Sequence, residues 1–275
     1  MARDANGDPP RHLVISSPRY PTMQFLRQLD GLWWLFLTLV PFLLCERFLH
    51  RQIQTLFLLL TRREKVSLVI FSLLFFPGVF LHETSHYLTA RLLRVRTGRF
   101  SLTPQTTAEG RLQLGYVETE STGFFRDALI GIAPLFLGGA FVAYAGLQRL
   151  HVLTLWEQFA SWDLILPALT DFYLQPDFWL WFYLIFAVSS TMLPSASDRK
   201  AWLPVGGIVI GLVVVSILAG AGPWLKSNLL PSLNDLFRGL SLILAISLAV
   251  HVVVLLPVWG LTALVSRLTG LKVVQ

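Results

Sequence analysis

From Val66 to Leu93 the chain is apolar except for Arg91, a few hydroxyl residues and one polar cluster, His82-Glu83-Thr84-Ser85-His86. That run limits both the fold and the chemistry. Its length and composition fit a membrane-crossing helix, which needs roughly 20 predominantly apolar residues. In lipid the backbone has to bond to itself, so a lone segment of this kind is helical. On a helix His82 and His86 lie on one face, because residues four apart stand one turn above each other. Two imidazoles so placed can share a metal ion, and Glu83 beside it can act as general base on a bound water. Ionisable groups at hydrocarbon depth are costly, so such a cluster reads as a functional site.

Further apolar runs repeat along the chain. They predict spans at Leu32 to Phe48, Val66 to Leu93, Ala128 to Leu147, Phe178 to Leu193, Leu203 to Ala221 and Leu236 to Val265. The fourth is short, and Asp163 to Leu169 is too interrupted to count. Arg51 to Leu60 reads as an interfacial helix or a continuation of the first span. Charged residues are 14% of the chain, against about 25% in soluble domains, and the mean hydropathy is +0.62. The expected fold is therefore an all-α polytopic membrane protein of about six transmembrane helices, with a small cytoplasmic β-hairpin insertion. Residues 1–28 are polar, with Pro9, Pro10, Pro18 and Pro21, and read as an irregular cytoplasmic tail. Residues 29–275 form the membrane domain, in which 201–275 are extra C-terminal helices. The glycine pairs Gly138-Gly139 and Gly206-Gly207 are expected at close helix contacts.

The arginines set the orientation. With the N-terminus cytoplasmic, the inner segments hold Arg91, Arg94, Arg96, Arg99, Arg111, Arg126, Arg199 and Lys200, whereas the outer stretch from Arg149 to Asp177 is acidic. This is the positive-inside pattern. One segment objects: Arg47, Arg51, Arg62, Arg63 and Lys65 would lie outside. If that segment stays inside, the first apolar stretch is a hairpin or surface helix, the N-terminal topology changes and the later spans keep their direction. The net charge of +6 comes with no basic tract or basic–aromatic platform, which argues against nucleic acid as a partner. Cys45, the single cysteine, excludes an intrachain disulfide framework and a cysteine-rich metal site.

Between the second and third spans, residues 96–120 do not read as helix. Leu112, Leu114 and Tyr116 alternate with Arg111, Gln113 and Gly115, the period of a strand. Thr107 to Gly110 is turn-like, so a hairpin is expected. Glu118 and Glu120 after it read as a solvated face.

A catalytic zinc usually takes three protein ligands. Asp198 is the leading candidate for the third, because it follows the fourth span on the side where the second also ends. Pro194 and its small neighbours would unwind the helix end and let a carboxylate turn inward. His251, in the apolar run Leu248 to Leu256, is the rival; the bland reading of it is a hydrogen-bonded bundle histidine.

Three places in residues 66–200 resemble the site-2 protease family of intramembrane zinc metalloproteases. They are His82-Glu83-Thr84-Ser85-His86-Tyr87-Leu88, Gly131-Ile132-Ala133-Pro134-Leu135, and Met192-Leu193-Pro194 with Asp198. The resemblance implies that His82, His86 and Asp198 bind Zn2+ and that Glu83 activates water. It also implies that the hairpin, through Leu112, Leu114 and Tyr116, holds substrate in extended form. Thr191 stands where the family usually has asparagine and is expected to bind substrate in its place through a weaker hydroxyl hydrogen bond, and Arg199 follows Asp198 where the family has glycine. The family's asparagine after the middle-helix proline has no counterpart in Phe136 to Gly139.

The expected function is thus an intramembrane zinc metalloprotease that hydrolyses a peptide bond in or near the membrane. Its substrate would be a membrane protein or membrane peptide, and its place the lipid bilayer of a bacterial inner or plasma membrane. The alternative is a catalytically inactive relative that binds or regulates a membrane partner. A transporter ranks last, because the chain shows one polar cluster and no internal repeat.

Overall fold

The computed structural model describes residues 29–106, 112–159 and 162–271. The expected N-terminal tail and the tip of the hairpin lie outside them. The described chain is all-α apart from one small strand insertion. Helix α1 is Asp30–Thr61, α2 Glu64–Leu74 and α3 Phe76–Leu92. The strands β1 Thr97–Ser101, β2 Gln105–Thr106, β3 Leu112–Gln113 and β4 Tyr116–Thr119 follow. After them come α4 Phe124–Tyr144, α5 Val152–Gln158, α6 Trp162–Tyr173, α7 Phe178–Ser189 and α8 Trp202–Ser216. The last helix is α9, Leu230–Thr269.

Three helical stretches are long and apolar enough to cross a membrane: Asp30–Thr61, Phe124–Arg149 and Trp202–Thr269. The several long apolar helices point to a membrane protein. The run from Val66 to Leu93, expected as one span, is instead two helices bent by 67° at Phe75. Pro77 accounts for the break: it offers no N–H to the carbonyl four residues back and disfavours helical backbone at Phe76. The Tyr183 hydroxyl donates to the Leu74 carbonyl at 3.0 Å, satisfying one group that the break exposes. Six spans are not reached. The expected fourth, α7, has 12 residues, and the fifth and sixth form one long helical stretch bent at Gly220, whose φ of +89° suits glycine.

Helices α1 and α9 form the most extensive helix pair, and they run in the same direction. Gly31 N–H donates to the Asn234 side chain, Phe42 packs edge-on against His251, and Thr262 donates to the Gln52 carbonyl. Asp30 closes the N-terminal end through hydrogen bonds from Asn234 and Arg238. Two crossings that run the same way are separated by an odd number of others. Six alternating spans would make the first and last antiparallel, so that count is not confirmed.

The core lies where α1, α2, α3, α4, α7 and α9 meet, around Phe42, Leu49, Phe75, Val142, Ile185 and Phe186. Glycine lets α3 approach α7: a Cβ at Gly78 would collide with the Ala187 carbonyl and the Thr191 hydroxyl. Gly138 does the same for α4, where a Cβ would stand 2.6 Å from Met192 Cβ. Gly206 and Gly207, expected at a close contact, face open space. Helix α8 buries none of its residues and leaves an apolar surface exposed.

The hairpin is present. β1 pairs antiparallel with β4 (Phe100 with Val117, Ser101 with Tyr116), and β2 pairs with β3 (Thr106 with Leu112). A register shift between Thr97 and Phe100 twists its base.

Candidate metal centre

α3 carries His82 and His86 on one face, as their spacing requires, with Nε2 atoms 3.1 Å apart. Asp198 reaches them from the loop that follows α7. One of its carboxylate oxygens lies 3.4 Å from His86 Nε2 and the other 3.8 Å from His82 Nε2. The three residues could hold a metal ion: their ligand atoms all lie within 4.8 Å of one another. They are shielded without being sealed, since His86 is 7% exposed and His82 and Asp198 are half-buried.

The opposite edge of each imidazole is fixed by the backbone. His82 Nδ1 meets the Thr191 carbonyl at 2.6 Å and His86 Nδ1 meets the Ile130 carbonyl at 2.9 Å. A carbonyl only accepts, so each Nδ1 carries the proton and each neutral ring turns a lone pair at Nε2 toward the centre. Ordinarily a metal-binding histidine is oriented in this way by an acceptor behind it. These acceptors were not legible as side chains. The local signals for them were Pro134, four residues after Ile130, and the helix end before Pro194.

Asp198 is held in place by its own loop. Its carboxylate accepts the Ser195 N–H at 2.7 Å, and its N–H donates to the Ser195 hydroxyl at 3.3 Å. Burial pushes this carboxyl up, and the Ser195 hydrogen bonds pull it down. At neutral pH it is ionised, the form that binds a cation.

Glu83 is 8% exposed, within electrostatic reach of His86 and Asp198. Among the described residues nothing donates a hydrogen bond to its carboxyl. The hairpin covers it: a Cβ on Gly115 would lie 2.9 Å from Glu83 Cγ and 3.0 Å from Val79. Leu114 is half-buried against the main core, and Tyr116 is half-buried in β4 opposite Ser101. Leu112 pairs with Thr106 through its backbone, and its side chain lies outside the described residues.

Thr191 enters the site through its carbonyl. Its hydroxyl bonds back to the Ala187 and Val188 carbonyls at 3.3 and 3.2 Å. His251, the rival ligand, is fully buried and bonded at both nitrogens: Nδ1 to the Ser247 carbonyl at 2.8 Å, Nε2 to the Ser190 hydroxyl at 3.0 Å. Its ring packs against Phe42 and Phe186, and it is not among the clustered ligands. Away from the centre, Glu118 is exposed and accepts the Arg99 N–H within the hairpin.

Comparison of the chain with family models, with curated proteins and with solved structures found no match.

Proposed function

We propose that this protein is an intramembrane zinc metalloprotease, a divergent relative of the site-2 protease family, that hydrolyses a peptide bond in or near the membrane. The observation that carries the reading is the convergence of His82, His86 and Asp198 from two separate elements, with Glu83 beside them. Zinc bonds of about 2.0–2.1 Å at tetrahedral angles set ligand atoms about 3.3–3.4 Å apart. The observed 3.1, 3.4 and 3.8 Å bracket that spacing. Two imidazoles and one carboxylate form a donor set that zinc takes in hydrolytic enzymes, with a fourth position left over. Bound there, zinc would supply Lewis acidity to the scissile carbonyl and to the attacking water.

The chain's own residues supply the rest. Glu83 takes a proton from the attacking water and delivers it to the leaving amine as the C–N bond breaks. The Thr191 and Ile130 carbonyls keep the two rings aimed while charge moves. The hairpin brings the link between β3 and β4 to Glu83 at Gly115, so a substrate strand added along the neighbouring edge would pass beside the base. Arg91, Arg94, Arg96 and Arg99 around the hairpin support a cytoplasmic position for the site; the membrane itself, a bacterial inner or plasma membrane, is part of the proposal.

The test is a survey of new protein termini in membranes that hold the wild-type chain or its Glu83→Gln variant. Termini inside or beside apolar segments that depend on Glu83 are expected. Identical termini from the two would contradict proteolysis and leave a role in binding a membrane partner.

A further inference from the structure

Pro134 interrupts the backbone ladder of α4, and the interruption faces the metal centre. Proline has no N–H, so the carbonyl four residues earlier, that of Ile130, receives no helical bond from it. A buried carbonyl needs a donor. Ile130 is 6% exposed and Pro134 is fully buried, so bulk water is shut out. The donor present is His86 Nδ1, at 2.9 Å. One residue on, Gly131 faces Asp198, and a Cβ there would collide with the Asp198 carbonyl. A single turn of α4 therefore touches two of the three clustered residues, one through an uncommitted carbonyl and one through a missing side chain.

We infer that the Ile130–Pro134 turn positions the metal ligands, with Pro134 the positioning residue that frees the Ile130 carbonyl to hold His86. This rests on reading His82, His86 and Asp198 as a metal site. An ordinary helix at this point would return the Ile130 carbonyl to its own ladder, leaving His86 without a fixed tautomer or ring orientation. His82 needs no such device, because the Thr191 carbonyl lies past the end of α7, where no helical donor reaches it.

The experiment uses the full chain in detergent, stripped of metal and titrated with zinc against a competing chelator. Wild type, Pro134→Ala, Gly131→Ala and His86→Ala are compared. Pro134→Ala is expected to bind zinc roughly 10- to 100-fold more weakly, the usual cost of losing a partner behind a ligand. Its metal-free melting temperature should be equal or higher, since the variant regains a helical bond. Histidine nitrogen NMR of the metal-free protein should show the His86 Nδ1–H form in wild type and its loss in Pro134→Ala. Gly131→Ala should also weaken zinc while leaving that His86 signal in place.

Wild-type zinc affinity in Pro134→Ala would overturn the inference. So would a loss of affinity that merely follows a lower metal-free melting temperature, the mark of a structural kink. If Pro134→Ala does not fold, unchanged affinity in Gly131→Ala, or no Nδ1–H form at His86 in wild type, overturns it. Absence of zinc from wild type, or unchanged binding by His86→Ala, defeats the metal reading itself and is seen separately.

Discussion

Glu83 and His251 are both buried ionisable residues on apolar helices, and their surroundings separate their roles. Glu83 has no hydrogen-bond donor among the described residues and lies beside His86 and Asp198. His251 is bonded at both ring nitrogens and boxed by phenylalanines. Glu83→Gln should keep the metal and lower peptide cleavage by about 10²–10⁴-fold, the usual contribution of a general base. His251→Ala should keep the metal too, but strand the Ser190 hydroxyl at a cost of about 1–3 kcal/mol. A denaturation midpoint checks the latter, and loss of metal from that variant would make His251 part of the centre. The histidine pair was legible in the sequence because its geometry is local: four residues on a helix fix it. The preference for Asp198 over His251 was legible from the helix end before Pro194, but the distances that bring its carboxylate to both histidines come only from tertiary packing.

At the scale of elements, the hairpin and the break before α3 bring the site together. The hairpin was legible from the alternation of Leu112, Leu114 and Tyr116, a period that no helix shares. Its contact with α3 was not, because Gly115 has no side chain to mark it. Gly115→Val should lift the strand from Glu83 and Val79, with metal content kept and cleavage reduced. Full activity in that variant would show that the hairpin's approach to Glu83 is incidental. The 67° bend between α2 and α3 was hidden by hydropathy, which sees an apolar run and not its direction; Pro77 was the available sign. The same blindness placed Gly206 and Gly207 at a helix contact, since glycine permits close packing without requiring it.

For the whole molecule, the parallel pairing of α1 with α9 fixes the direction of the first helix relative to the last. α1, at 32 residues, is about 48 Å long, more than a bilayer's hydrocarbon of roughly 30 Å. In a Cys45→Ser background, paired cysteines at Gln52 and Thr262 should cross-link, whereas Gln52 with Asn234 should not; the reverse would restore the antiparallel arrangement. The helices outside the centre still brace it, through His251 on Ser190, next to the residue whose carbonyl holds His82. Elemental analysis of the purified full chain tests the central claim most directly, for wild type, His86→Ala, Asp198→Ala and His251→Ala. The account predicts near-stoichiometric zinc in wild type and His251→Ala, and its loss from His86→Ala and Asp198→Ala. No zinc in wild type, or zinc that survives Asp198→Ala, would contradict it.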